Sequence, residues 1–500
     1  MSDLTETKTT TQPTQPTQPN VGLDREVEGA DAGHVGGAEY AGGAGSLSSE
    51  LALEAAKLDE ADELAGLRDR FVLDDAVYLD GNSLGALPAA VPGRVDDVVR
   101  RQWGSLRIRS WDESGWWTAP ERIGDRIAPL VGAAPGQIVV GDSTSVNIFK
   151  AVVAAVRMAD EDAREGRDGV GDGRDGDGGG AGGRPVRDEI LVDATTFPTD
   201  GYIAESAARM TGRTLRPVTP AEVPDALGPR TAAVLLNHVD YRTGRLHDLP
   251  SLTAAIHEAG AYAVWDLCHS AGALPVGLDE HGVDLAVGCT YKYLNGGPGS
   301  PAYLYVRRDL QPRFDSPLPG WNSHTDPFGM RPSFEPAGGA LRGRVGTPDI
   351  LSMLALEAAL DVWDGGGGES GAESGAESQA GTGVGAGAGA GVGAEAGATV
   401  EAVRAKSLAL TDFFLRCVAA YVPEGRVECL TPVAHAERGS QVALRCDDAG
   451  DVMKRLIQQG VVGDFRHPDV LRFGFTPLYV GFADVERAAR VLAETLRSVG

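Results

Sequence analysis

A single lysine follows an apolar run that is typical of a buried strand. Residues 283–301 read VDLAVGCTYKYLNGGPGSP, so the apolar run gives way to Lys292 and then to a glycine-rich turn. Lys292 is also the only lysine between Lys150 and Lys406. An amine at a strand end beside Tyr291 suits Schiff-base chemistry, because only a neutral, partly desolvated amine attacks a carbonyl. Taken alone, the same pattern also fits a surface lysine beside a turn.

The loop at residues 141–147, GDSTSVN, has the composition of a phosphate cradle. Its small residues, hydroxyls and free backbone N–H groups precede a predicted helix, and the N-terminus of a helix favours an anion. Thr144 and Ser145 are the predicted ligands. An ordinary helix cap is the alternative interpretation of the same residues.

Two more strand-end loops add an aromatic ring and carboxylates. In FPTD, Phe197 and Asp200 lie at the edge of the predicted sheet, although a core ring and a helix cap would explain them too. In WDLCHSAG, Asp266 directly follows an apolar strand and precedes His269. A buried carboxylate needs a cationic or N–H partner, which a heteroaromatic nitrogen would supply. Without such a partner, Asp266 would cap a turn and His269 would be a structural residue.

Together the four segments contain, in chain order, a phosphate cradle, an aromatic ring, a carboxylate and a lysine. Those are the parts that hold pyridoxal 5'-phosphate. A metal centre at Asp266, Cys268 and His269 is disfavoured, because the spacing lacks the paired histidines or cysteines of such sites. No G-x-G-x-x-G motif indicates a dinucleotide site. The residues therefore predict a pyridoxal-phosphate site and no metal.

Composition narrows the class of protein. The formal net charge of -26 over 500 residues disfavours a nucleic-acid partner, because phosphate binding uses basic patches. The five cysteines form no CxxC pair, which favours a reducing compartment. No apolar run is long enough to cross a membrane, and the N-terminus lacks the pattern of a signal peptide. We expect a cytoplasmic protein with neither a membrane nor a nucleic-acid partner.

Strand, loop and helix alternate through the middle of the chain, which predicts an α/β fold with a mostly parallel sheet and helices on both faces. The predicted strands are 137–140, 189–192, 232–236, 261–265 and 283–288, and the predicted helices between them are 148–156, 202–209 and 251–259. Helices near 349–363, 400–421 and 483–498, with strands near 441–445 and 470–475, predict a smaller α+β part.

The predicted organisation has three parts: a disordered extension (1–46), a large α/β domain (47–348) and a small α+β domain (349–500). Gly-rich stretches at 160–187 and 365–398 are predicted flexible insertions. The folded part is expected to begin with an amphipathic helix capped by Ser48 or Ser49. Its apolar face would carry Leu51, Leu58, Ala61, Leu64 and Leu67.

The chain resembles the kynureninase family. Members of this family are pyridoxal-phosphate enzymes of the aspartate-aminotransferase fold (fold type I). The motifs that carry the resemblance are YLDGNSLGALP (78–88), FPTDGY, HVDYRTG (238–244), WDLCHSAGALPV, TYKYLNGGPGSPA, GWNSH (320–324), RVGTPDI and RFGFTPLY (472–479). They span most of the chain outside the extension and the two insertions. The implied reaction is hydrolysis of the Cβ–Cγ bond of L-kynurenine to anthranilate and L-alanine, in tryptophan degradation or NAD biosynthesis.

The resemblance also implies residue roles. Lys292 would bind the cofactor and act with Tyr291 in catalysis, and Arg472 would hold the substrate α-carboxylate, with Trp111 and Asn82 also contacting substrate. Trp321 and Thr347 would come from the second subunit of a homodimer with shared active sites. The implied cofactor-binding residues are Thr144, Ser145, Phe197, Pro198, Thr199, Asp200, Asn237, Asp266, His269, Tyr291, Lys292, Trp321 and Thr347.

Several alternatives stay open at this point. Trp111 and Thr347 resemble the bacterial enzymes, which prefer kynurenine, but 3-hydroxykynurenine is a second candidate substrate. A cysteine desulfurase or aminotransferase would share the fold, although residues 313–343 contain no cysteine that could serve a desulfurase. A catalytically silent scaffold is the third hypothesis, which the presence of both Lys292 and Asp266 argues against.

Overall fold

A computed structural model describes residues 44–168, 187–364 and 397–499. Its centre is a seven-stranded sheet. The strands are Ile138–Val140 (β1), Glu189–Asp193 (β2), Thr214–Val218 (β3), Thr231–Asn237 (β4), Tyr262–Asp266 (β5), Leu285–Gly288 (β6) and Tyr303–Val306 (β7).

The strand order in this sheet is β1-β7-β6-β5-β4-β2-β3. Neighbours from β2 to β6 pair in parallel, and β7 is antiparallel to both β6 and β1. The predicted mostly parallel sheet is confirmed. Two strands were not predicted, and β3 is difficult to recognise because it is a largely exposed edge strand that contains Arg216 and Pro217.

The two faces of the sheet are buried in two separate cores. Alternate residues of a strand point to opposite faces, so Leu235 packs in one core and Leu236 in the other. All residues of β4 and β5 are buried, as expected when helices cover both faces. Burying a leucine side chain of this kind contributes about 1.5 to 3 kcal/mol.

The described residues contain ten longer helices, some around the sheet and the others in the C-terminal part. They are Ala44–Glu60 (α1), Val91–Asp97 (α2), Ala119–Ile127 (α3), Thr144–Asp168 (α4), Pro198–Thr211 (α5), Leu249–Glu258 (α6), Ile350–Ala359 (α7), Val400–Tyr421 (α8), Ala449–Gln458 (α9) and Phe482–Val499 (α10). Asp248 caps α6, because its side chain accepts a 3.0 Å hydrogen bond from the backbone N–H of Ser251. Shorter helical segments include a π-helix at Val98–Leu106.

Two predictions about helices were wrong. Helix α1 begins at Ala44, so Ser48 and Ser49 lie inside it and neither is its cap; extending a formed helix by a turn costs little. The same helix ends at Glu60, so Ala61, Leu64 and Leu67 do not continue its apolar face. The chain turns there because the Asp62 carboxylate accepts from the backbone N–H of Leu64 at 3.0 Å.

The first predicted insertion begins later than expected. Residues 160–168 continue helix α4, because arginines from elsewhere anchor its acidic end: Arg213 pairs with Asp160 at 2.5 Å and Arg313 with Asp162 at 2.7 Å. The rest of that stretch, most of the second insertion and the extension at 1–43 lie outside the described residues.

A four-stranded antiparallel sheet forms the C-terminal part, in the order Glu428–Cys429 (β8), Gln441–Arg445 (β9), Val470–Gly474 (β11), Asp464–Arg466 (β10). Strand Val77–Tyr78 pairs in parallel with Val461–Val462, and Phe71–Val72 pairs with Leu87–Pro88. These short pairings hold the intervening loop against the C-terminal part. The proposed domain boundary near residue 348 stays a prediction. Within the described ranges no helix is long and apolar enough to span a membrane.

Candidate active site

Two buried carboxylates and an amide meet at the carboxyl ends of β4 and β5. The strands pair so that Asn237 lies directly beside Asp266. The Asn237 Nδ2 group donates to Asp266 Oδ2 at 3.1 Å and to Asp200 Oδ2 at 3.1 Å. Asp200 arrives from the first turn of α5, whose N-cap position is Phe197. One amide therefore bridges the two acids.

The Asp200–Asp266 pair lacks a positive partner among the described residues. The side chains bond to Asn237, to the Thr196 hydroxyl and to the backbone N–H of Cys268, which are all neutral donors. Burial, followed by the charge of Asp266, raises the pKa of Asp200 well above its usual value. Such a pair is stabilised by a cationic N–H group placed between its oxygens. A protonated pyridine nitrogen has that chemistry, so the site fits pyridoxal phosphate.

Lys292 lies in the loop after β6, the strand that pairs with the Asp266 end of β5. Its Nζ is 2.9 Å from His269 Nε2 and 5.9 Å from the centroid of the Tyr291 ring. Burial, followed by the charge of Lys292, lowers the pKa of His269 well below its usual value. A neutral imidazole accepts a hydrogen bond from an ammonium group, and it therefore holds the lysine amine at the strand end.

Tyr291 is held in its protonated form. The neighbouring Cys289 group, followed by burial, raises the pKa of Tyr291 above its usual value. The raised pKa keeps the phenol protonated but also makes it a weaker acid, so it does not by itself favour proton donation. Its predicted role as a general acid stays a prediction.

The predicted phosphate cradle lies at the start of α4. Thr144 and Ser145 are the first two residues of this helix, which begins four residues before the predicted start at 148. The Thr144 hydroxyl is 3.8 Å from the Cys268 sulfur, so the cradle lies beside the loop that follows Asp266. The geometry brings the anion-binding end of a helix to the same edge of the sheet.

Phe197 is not part of the core. Its side chain is 41% exposed and meets the Tyr241 ring edge-on, with 5.3 Å between the ring centroids. Pro198 and Thr199 follow it in the first turn of α5. This places an accessible ring beside Asp200, as the cofactor prediction requires.

Arg472 lies in β11 and is 1% exposed. Its Nε donates to Asp464 Oδ1 at 2.8 Å, one terminal nitrogen bonds to Asp464 and Ser83, and the other donates to the Tyr241 carbonyl at 2.5 Å. Arg472 thus contacts Tyr241, whose ring meets that of Phe197. The predicted binding of a substrate carboxylate stays a prediction.

The segment around Asn82 packs between Arg472 and the lysine loop. Asn82 is fully buried and donates to Gln441 Oε1 at 3.2 Å. The Gly85 N–H donates to the Tyr291 carbonyl at 2.7 Å, and a Cβ at Gly85 would lie 2.4 Å from the Lys292 carbonyl oxygen. Only glycine allows this close approach, which joins the two ends of the site.

Three predicted residues contact groups other than Lys292. The rings of Trp111 and Trp321 are 6.4 Å apart and belong to an aromatic cluster with Trp117 and Phe328. Thr347 lines a cavity of about 360 Å³ with Ser143, Lys150 and Asn322. Among the described residues, no hydrogen bond or ring contact joins these three to Lys292.

Five residues of the site were not predicted from the sequence: Asp80, Ser83, Thr196, Tyr241 and Asp464. Three of them lie inside recognised motifs, Asp80 and Ser83 in YLDGNSLGALP and Tyr241 in HVDYRTG, so the motifs carried a usable signal. Asp464 lies outside those motifs. Only the pairing of β10 with β11 brings it opposite Arg472.

Known proteins resemble this chain in sequence and in fold. Residues 188–380 match the family model "Aminotransferase class-V" and residues 403–492 match "Kynureninase C-terminal domain". A cysteine desulfurase from Thermococcus onnurineus NA1 has a TM-score of 0.64 at 16% identity, covering 87% of this chain and 98% of that one, which shows the fold alone. The chain is thus a pyridoxal-phosphate enzyme of fold type I, as predicted.

Closer relatives define the family. The kynureninase of Burkholderia pseudomallei (strain 1106a) is 42% identical over 447 residues, which cover 89% of this chain and 95% of the relative. The kynureninase of Pseudomonas fluorescens is 42% identical over 443 residues, covering 88% and 94%. The chain belongs to the kynureninase family, hydrolases that act on carbon–carbon bonds. The desulfurase, aminotransferase and scaffold hypotheses are not supported.

Proposed function

We propose that this chain hydrolyses the Cβ–Cγ bond of L-kynurenine to give anthranilate and L-alanine, in tryptophan degradation or NAD biosynthesis. The observation that supports it best is the bonding of Asp266, Asp200 and Asn237 beside the Lys292–His269 pair. The 42% identity to named kynureninases supports the choice of substrate.

The residues divide the work between two ends of the site. At one end, the Asp200–Asp266 pair orients the cofactor ring, and Thr144 and Ser145 hold its phosphate. At the other end, Arg472 holds the substrate α-carboxylate, a role that suits its planar fork. Bound pyridoxal phosphate supplies the electron sink of the reaction.

Proton transfers fall to the two residues of the lysine loop. The Lys292 amine takes the α-proton of the substrate, because its Nζ is fixed by His269 at the strand end. Tyr291 is the proposed general acid, because its ring centroid lies 5.9 Å from the Lys292 Nζ. Water adds to the Cγ ketone before the Cβ–Cγ bond breaks.

We also propose a cytoplasmic homodimer, in which Trp321 and Thr347 complete the site of the other subunit. Within one chain Trp321 packs with Trp111 and Trp117, which supports this arrangement for Trp321, whereas Thr347 lines a cavity with Ser143 of its own chain. The five cysteines are free thiols, which supports a reducing compartment.

Purified protein with added pyridoxal phosphate and L-kynurenine tests the reaction. We expect anthranilate fluorescence with equimolar L-alanine, and slower turnover of 3-hydroxykynurenine. Lys292→Ala should reduce turnover by at least about 10³-fold. Lys454→Ala is the matched control, since Lys454 is exposed and paired with Asp451, and should retain activity. Full activity of Lys292→Ala would overturn the assignment.

Mixing two inactive variants tests the shared site. A dimer of one Lys292→Ala and one Trp321→Ala subunit contains one site with both residues intact. Random mixing should therefore restore about a quarter of wild-type activity. If the mixture stays inactive although mixed dimers form, Trp321 does not act across subunits.

A further inference from the structure

We propose that Asp464 is a positioning residue for substrate recognition: it fixes the Arg472 guanidinium so that its two terminal nitrogens face the substrate α-carboxylate. This inference rests on the proposed function of Arg472. It assigns a task to a residue that lies outside the recognised motifs.

The backbone places the pair. Strands β10 and β11 are antiparallel, and Asp464 lies directly opposite Arg472 in their register. Opposite residues of adjacent strands bring their side chains together on one face of a sheet. The ion pair therefore follows from strand pairing and does not require a flexible loop.

The hydrogen bonds show which edge of the guanidinium is used. Asp464 takes the side edge, formed by Nε and one terminal nitrogen. The remaining partners of the terminal nitrogens are neutral oxygens, Ser83 Oγ at 3.0 Å and the Tyr241 carbonyl at 2.5 Å. A carboxylate binds an arginine through two such nitrogens. The edge that a substrate carboxylate would use is thus occupied by neutral oxygens and not by Asp464.

Asp464 is itself fixed from two sides. Arg466 donates to Asp464 Oδ2 at 2.7 Å, and the Ser83 hydroxyl donates to the same oxygen at 2.9 Å. Asp464 is therefore held before the substrate arrives. Asp80 is a second carboxylate in the same cluster, but among the described residues it forms no hydrogen bond to Arg472, so the task falls to Asp464.

Removal of the Asp464 charge would mix two effects of opposite sign. An asparagine loses the fixed orientation of Arg472, but it also removes a negative charge that repels the substrate carboxylate. Both effects act on KM with opposite sign, so an asparagine variant does not isolate the orientation effect. The decisive variants therefore keep the charge and change the geometry.

Asp464→Glu keeps the charge and moves the carboxylate by one methylene. We expect KM for L-kynurenine to rise about tenfold and kcat to change less than about threefold. Arg466→Lys loosens Asp464 without a change of charge and should raise KM about threefold. Asp469→Glu is the matched control, because Asp469 pairs with the partly exposed Arg445 and should leave KM unchanged. Unchanged KM in a folded, active Asp464→Glu enzyme would overturn the proposal.

A binding measurement separates this inference from the proposed function. L-Alanine and L-alaninamide differ only in the carboxylate, and their binding to the cofactor-loaded protein can be followed by cofactor absorbance. We expect the preference of the wild type for L-alanine to fall about tenfold in Asp464→Glu and to persist in Asp469→Glu. The same preference in all three proteins would overturn the role of Asp464. If the wild type prefers L-alanine but does not hydrolyse L-kynurenine, the proposed reaction is overturned and the role of Asp464 is not.

Discussion

The two ends of the site both contain aspartates, but they differ in the positive charge around those aspartates. At the cofactor end, Asp200 and Asp266 face each other with only neutral hydrogen-bond donors around them. At the substrate end, Asp464 lies between Arg472 and Arg466. The first end is short of positive charge and is proposed to bind a cation, whereas the second holds its guanidinium in place and is proposed to bind an anion. A ligand with a protonated ring nitrogen at one side and a carboxylate at the other matches both.

The difference also appears in how each end is built. Asn237 and Asp266 are neighbours in a parallel sheet whose strand ends collect at one edge. Arg472 and Asp464 are opposite residues in an antiparallel sheet of the C-terminal part. The loop around Ser83 connects them, since Gly85 contacts the carbonyl of Tyr291 while Ser83 contacts Arg472. The site therefore requires both sheets to be correctly placed.

The largest effect is expected at the cofactor end. Asp266→Asn removes the charge that stabilises a protonated ring nitrogen and should lower kcat/KM about 10³-fold. Asp188→Asn, at an exposed ion pair with Arg230, is the control and should stay near wild type. Steady-state assays by anthranilate fluorescence measure both. An Asp266→Asn enzyme with more than a tenth of wild-type activity would contradict the cation-binding role.

A smaller effect is expected at the substrate end. Arg472→Lys keeps the charge but loses the planar fork, so KM for L-kynurenine should rise about 100-fold with less change in kcat. Arg445→Lys serves as the control on the same sheet. A loss confined to kcat would place Arg472 outside carboxylate binding.

Asp200→Asn should lower kcat/KM only about tenfold, because Asp266 keeps its charge.

Asp200→Asn should also stabilise the cofactor-free protein, and the gain should be larger at higher pH. The raised pKa of Asp200 means that its ionised form is disfavoured in the folded state, so wild-type stability falls as pH passes from the usual carboxyl value upward. Thermal unfolding at pH 5 and pH 8 should show the larger gain at pH 8. Equal Tm shifts at both pH values would mean that Asp200 is not the titrating group.

The smallest effect is expected for Asp80. Burial, followed by the charge of Asp464, raises the pKa of Asp80 to about 6. Ionisation of Asp80 therefore lowers the stability of the folded protein as pH rises from the usual carboxyl pKa to about 6, and Asp80→Asn should raise Tm by about 1 to 3 °C at pH 8 and less at pH 5. A Tm gain that is independent of pH would argue against a raised pKa.

Much of the cofactor end could be predicted from the sequence, because its residues follow apolar strands that are easy to recognise. Asp266, Lys292 and the 144–145 pair all lie where a strand ends or a helix begins, and the sheet brings such positions together. Asp464 and Thr196 could not be found in this way. Their roles depend on pairing between distant segments and on hydrogen bonds to side chains that the local pattern does not specify.

The same distinction explains the errors in the fold. The strand β3 was not predicted because it is exposed and contains a proline. Helix α4 extends into a stretch that was predicted to be flexible, because Arg213 and Arg313 bind its acidic residues. Both depend on tertiary contacts. Local propensity is a weak guide where such contacts decide the boundary.

Borohydride reduction of the cofactor-loaded protein, followed by mass spectrometry of its peptides, tests the central claim most directly. The account predicts a stable pyridoxyl label on Lys292, and the same label blocked by Lys292→Ala. A label on another lysine such as Lys150 or Lys406, or no label although the cofactor is bound, would contradict it.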